Sequence, residues 1–117
     1  VLTLKDPAVM DRLLPGLSQA SRRLDVTILH TLVLERLLGI DKDNMANQRN
    51  LTYTRDAAEA AASVEKGESC ACFLLNPTRV EEIGQVAAAG EKMPQKSTYF
   101  YPKLITGLVM NPLWQRE

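Results

Sequence analysis

The residues best suited to do chemistry lie near the end of the chain, between Gly90 and Gly107. From Lys92 to Arg116 there is no Asp or Glu, while Lys92, Lys96, Lys103 and Arg116 all carry positive charge. Lysine ammonium groups beside the hydroxyls of Ser97, Thr98 and Thr106, together with loop N–H groups, are the parts from which phosphate and carboxylate sites are built. The segment therefore predicts a site for a small anionic ligand made of Lys96, Ser97, Thr98, Lys103 and Thr106. Gly90, four residues, Gln95, Lys96 and Ser97 fall one glycine short of the phosphate-cradling loop Gly-x-x-x-x-Gly-Lys-Ser/Thr, with Gln95 where the second glycine belongs. That loop must follow a strand and open a helix. Here the segment follows a helix and leads into Thr98-Tyr99-Phe100-Tyr101, and Pro94 removes an N–H donor, so the context argues against a nucleotide cradle. The same residues also admit a noncatalytic reading. Pro94 and Pro102 then fix a loop, the lysines keep an edge strand soluble, and Tyr99 and Tyr101 form a packing or dimerisation surface.

Other chemistry-bearing residues are sparse. His30 is the only histidine, and Asp25 and Glu35 each stand five positions away, off the i,i+4 spacing of a helical pair. It is a weak candidate for an acid or base and more readily read as a satisfied core histidine. Cys70 and Cys72 flank Ala71 without the further Cys or His pair that a zinc site requires, so they are expected to be buried, reduced thiols. Two such thiols suit a reducing compartment. Asp41 and Asp43 lack the glycine and bidentate Glu of a calcium loop. No metal site is predicted, and no cofactor is indicated.

Composition narrows the function classes further. The 117 residues suffice for one domain and one core, residues 1–117. Fourteen basic and fourteen acidic residues balance to zero, without the basic excess of nucleic-acid or membrane-surface binders. No apolar run reaches the roughly 18 residues of a spanning helix, and no basic-then-apolar signal opens the chain. A cytoplasmic protein with no nucleic-acid or membrane partner is expected. The chain begins at Val1 on residues that resemble a strand already under way, which suggests the C-terminal fragment of a longer protein.

The elements that must position these residues follow from caps and periodicity. Val1 to Lys5 reads as a strand, and Asp6-Pro7 opens a short helix that Pro15-Gly16 stops. Leu24 to Leu38 is apolar on more than one face and predicts a mostly buried helix, ended by Gly39 with Ile40 folding back on Leu34. Asp41 to Asn50 reads as a surface loop, and Leu51 to Thr54 as a strand. Asp56 and Glu59 form a capping box for an alanine-rich helix to about Lys66, ended by Gly67. Ser69 to Leu75 is a continuous apolar run, expected to be a central strand covered on both faces. Thr78 with Glu81 is a second capping box, opening a helix that ends at Gly90. Thr98 to Tyr101 and Leu108 to Met110 read as a closing hairpin. The order β-α-α-β-α-β-α-β-β predicts an α+β fold, a two-layer mixed sheet with helices mainly on one face.

Several of these stretches resemble a known family. Phe73-Leu74-Leu75-Asn76-Pro77-Thr78, then Met93 to Lys103 and Thr106-Gly107-Leu108-Val109, with Leu24-Asp25-Val26 and Leu29-His30 earlier, are similar to the C-terminal part of a prokaryotic domain family. That family is a domain of unknown function, numbered one thousand and fifteen. The resemblance implies a bacterial or archaeal cytoplasmic protein, part of a longer chain, and brings no activity or catalytic residue with it.

Overall fold

The computed structural model describes residues 1–99, and the helices there begin and end largely where local chemistry dictates. Helix α1 (Ala8–Leu13) starts where Asp6 Oδ1 accepts from Ala8 N at 2.9 Å. Helix α2 (Gln19–Arg23) is capped by Ser18, whose Oγ accepts from Ser21 N. Leu24 is extended and turns the chain sharply into α3 (Asp25–Ile28). The helix continues without a break as a π-helical stretch, Leu29–Leu37, in which Leu38 N donates five residues back to Val33 O. Nine residues is long for a π segment, a geometry that usually appears as a single-turn bulge. Gly39, at φ +68°, ends it, and Ile40 N returns to Leu34 O at 2.8 Å. The left-handed ending expected from Gly39-Ile40 is present.

Helix α5 (Ala57–Glu65) begins at Asp56, whose Oδ1 accepts from Ala58 N and Glu59 N. Glu59 does not close the box, because its carboxylate takes the Thr54 hydroxyl instead. Helix α6 (Val80–Ala88) starts one residue later than the Thr78–Glu81 pair predicts, at Arg79. Glu82 Oε2 accepts from Arg79 N at 2.8 Å, which is the half of a capping box open to an arginine, since a guanidinium has no acceptor. The helix ends in a Schellman motif: Gly90 N bonds Ala87 O and Glu91 N bonds Val86 O.

The stretch expected to be a loop, Asp41 to Asn50, contains a further helix, α4 (Lys42–Asn47). Asp41 Oδ1 caps it through Asn44 N, and Met45 is buried beneath it. The asparagines that suggested irregular structure close its exit, where Asn44 Nδ2 donates to Asn50 Oδ1 at 2.7 Å.

The sheet is the main correction. Among the described residues there is no strand, so the two-layer α+β fold and its β-α-α-β-α-β-α-β-β order give way to a helical architecture. Val1–Lys5, Leu51–Thr54 and Ser69–Leu75 are non-helical, and none is paired in a ladder. A strand is defined by its ladder, and apolar patterning without a partner yields only irregular chain. Phe73, Leu74 and Leu75 are 37%, 67% and 45% exposed, the reverse of a central strand. Cys70 and Cys72 are free and exposed rather than buried. Of the expected hairpin, Thr98 and Tyr99 are non-helical and unpaired, and Phe100, Tyr101 and Leu108 to Met110 lie outside the described residues. Among the described residues no helix is long and apolar enough to cross a membrane.

The core gathers instead at the crossing of α2, α3 and α6. Leu24, Val26 and Val86 form its centre, with Ala20 and Met93 packed against them, and Val86 is fully buried. A polar clasp closes the same crossing. Carried round by the Schellman turn, Glu91 reaches the N-terminus of α2, accepting from Ser18 N at 2.6 Å, Ser18 Oγ at 2.7 Å and the Ser21 hydroxyl. These hydrogen bonds, first that of Ser21 and then those of Ser18, hold the Glu91 carboxyl below its ordinary value of 4.5, with nearby Arg22 adding to them. A lowered native pKa stabilises the fold above the ordinary value and loses that effect as pH falls through the lowered one. Glu91→Gln is therefore expected to be less stable than wild type at neutral pH, with the gap closing below about pH 4. Urea midpoints of the two proteins across that range check it; a gap that persists unchanged in acid contradicts it.

Candidate ligand cleft

A cleft of about 300 Å³ opens beside this crossing, between the Leu24–Asp25 corner, the stretch from Asn76 to Arg79, and Glu82 of α6. Its shape follows from local backbone rules. Asn76 precedes a proline and is thereby kept from helical conformations, and Arg79 is extended at φ −80°, ψ 150°, so this stretch runs open until α6 begins. Asn76 Nδ2 donates to Asp25 Oδ2 at 2.8 Å, tying the stretch to the first turn of α3 across 51 residues. Thr78 Oγ1 donates to Ser97 O at 3.0 Å, tying it to the later loop.

That loop is a tight turn. Ser97 N and Ser97 Oγ both donate to Pro94 O, at 3.3 and 2.6 Å, and Lys96 stands in the left-handed region at φ +59°. A lysine there carries a conformational cost that the surrounding bonds must hold in place. Beyond it, Tyr99 is covered on one face by the Arg55 guanidinium, 4.1 Å from the ring centroid.

Of the predicted site residues, Ser97 is tied to the cleft wall through its carbonyl, which accepts from Thr78; Lys96, Ser97 and Thr98 do not themselves line the cleft, and Lys96 is exposed and Thr98 half-buried. Lys103 and Thr106 lie outside the described residues. Ser97 Oγ donates its hydrogen bond to Pro94 O, so it positions the turn, while Thr78 Oγ1 donates to Ser97 O. The donors left for a ligand are the Lys96 ammonium, the Arg79 guanidinium and the Thr98 hydroxyl. Glu82 Oε1 lies 3.3 Å from Arg79 Nη2, leaving the guanidinium's other edge open. The hydrogen bond from Arg79 N, more than the charge of its side chain, holds the Glu82 carboxyl low.

Asp25, Asn76, Arg79 and Glu82 were not legible as site residues from spacing. The one local feature at their position is Asn76-Pro77-Thr78, which reads as a strand end and helix cap. His30 is elsewhere, half-buried on the π-helical stretch and not on the cleft wall. Burial holds its imidazole below the ordinary value of 6.5, so it is neutral at pH 7. Its contribution to stability is complete above the ordinary value and is lost as pH falls below it. Wild type is expected to lose stability as pH falls below the ordinary imidazole value, and His30→Leu to flatten that loss, read as the shift in urea midpoint. Equal slopes in the two proteins contradict a buried, neutral His30.

Among the described residues no group of three or more His, Cys, Asp or Glu is arranged to hold a metal ion. Comparison of the chain with protein-family models, with curated proteins and with solved structures finds no match.

Proposed function

We propose that the chain is a binding domain for a small anion, a phosphate or carboxylate, held between Arg79 on the cleft wall and Lys96 on the adjoining turn. The observation that supports this reading is the Thr78–Ser97 hydrogen bond, which ties the backbone next to Lys96 to the cleft wall that carries Arg79, 17 positions earlier in sequence. Arg79 offers a planar fork suited to an oxyanion, and Lys96 a mobile point charge. Lys103 and Thr106 belong to the same proposal as further ligands of the anion. Membership of the family of unknown function numbered one thousand and fifteen is also part of the proposal, and rests on the residues quoted for it. The test is a titration with inorganic phosphate, followed on the wild type and on Arg79→Ala and Lys96→Ala.

One observation favours a second reading, a noncatalytic packing or dimerisation domain. The apolar side chains of Phe73, Leu74 and Leu75 are exposed immediately before the cleft. Under that reading no anion binds, and the protein self-associates.

A further inference from the structure

We infer that the ligand of this cleft is a zwitterion, with an ammonium group held by Asp25 and Asn76 at one end and the anionic group held by Arg79 and Lys96 at the other. The inference rests on the anion-binding reading above and extends it to the class of ligand.

Glu82 has both oxygens engaged with Arg79, one on the backbone N–H and one on the guanidinium. Its charge is thereby answered within the cleft wall. Asp25 differs. Its Oδ2 accepts from Asn76 Nδ2, and among the described residues its Oδ1 takes no hydrogen bond and the carboxylate meets no cation. Asn76, whose amide is oriented by that bond, keeps its carbonyl oxygen as a second acceptor beside it. Asp25 and Asn76 both line the cleft, so two acceptors, one charged, belong to its wall at the α3 corner. An ammonium, with three donors and no acceptor, matches them.

A purely anionic ligand would meet repulsion from Asp25, whereas a ligand with a cation at that end turns the repulsion into attraction. The volume of about 300 Å³ stands at the small end of ligand pockets. It suits a short amino-phosphate or amino-carboxylate.

The experiment compares 2-aminoethyl phosphate with ethyl phosphate, which lacks the amine, by calorimetry and by NMR shift mapping on the wild type and Asp25→Asn. Wild type is expected to bind the aminated compound about 3- to 10-fold more tightly, the range for a partly exposed, charge-assisted contact. Asp25→Asn keeps an acceptor for Asn76 and should abolish the preference while leaving ethyl phosphate bound as well or better. Equal affinities in wild type, or a preference that survives in Asp25→Asn, overturns the zwitterion and leaves the anion site intact. Failure of both compounds to bind overturns the anion site itself.

Discussion

Leu24→Ala is expected to lower the stability of the protein by about 2–3 kcal/mol, and Leu74→Ala to change it by less than about 0.5 kcal/mol. Leu24 is nearly fully buried and touches the cluster that joins α2, α3 and α6, so its truncation removes apolar contact and opens a void. The loss falls in the lower part of the range for core leucines because Met93, flexible and packed against the same cluster, can move partly into the space. Leu74 is 67% exposed and has no such surroundings. Denaturant unfolding of the two variants reads the contrast directly. The opposite order, with Leu74→Ala the costly change, would show that Ser69 to Leu75 is core and that the crossing of α2, α3 and α6 is not its centre.

Arg79→Ala is expected to weaken binding of inorganic phosphate about 10- to 100-fold, the loss of one charge-assisted contact. Lys96→Ala should have a smaller effect, since an exposed ammonium is screened by solvent and salt. Neither should alter stability by more than about 0.5 kcal/mol. The Arg79–Glu82 pair is an exposed i,i+3 contact, and alanine retains the backbone N–H that Glu82 accepts. Calorimetric titration of the two variants at low salt gives the affinities, and their thermal unfolding gives the stabilities. Unchanged phosphate affinity in Arg79→Ala would remove the guanidinium from the site.

The contrast between Leu24 and Leu74 also marks how far the fold can be read from the residues in order. Local signals were legible: the Asp6-Pro7 start, the Asp56 cap, and the glycine endings at Gly39, Gly67 and Gly90 all depend on interactions within a few residues. Asp41 to Asn50 reads as a loop because three asparagines outweigh a single capping residue, although the Asp41 cap is what begins α4. Pairing was not legible. Alternation and β-branching suggest that a stretch suits a sheet, but a ladder is a contact between distant segments, and nothing within Ser69–Leu75 specifies a partner. The same distinction holds for the cleft. Lys96 could be singled out by its charge and neighbours, whereas Asp25 and Arg79 enter only because Asn76 and Thr78 bridge 51 and 19 residues of sequence. The Glu91 clasp belongs to this second kind as well, since it joins Ser18 and Ser21 across 70 or more positions.

The central claim is that Asn76 to Arg79 and Lys96 to Thr98 form one anion-binding cleft. An NMR titration of the isotopically labelled protein with inorganic phosphate tests it most directly. Shifts that saturate together at Asp25, Thr78, Arg79, Lys96 and Ser97, and that vanish in Arg79→Ala, are the predicted result. No saturable shift at these positions, or shifts confined to Lys96 that follow ionic strength alone, would contradict it.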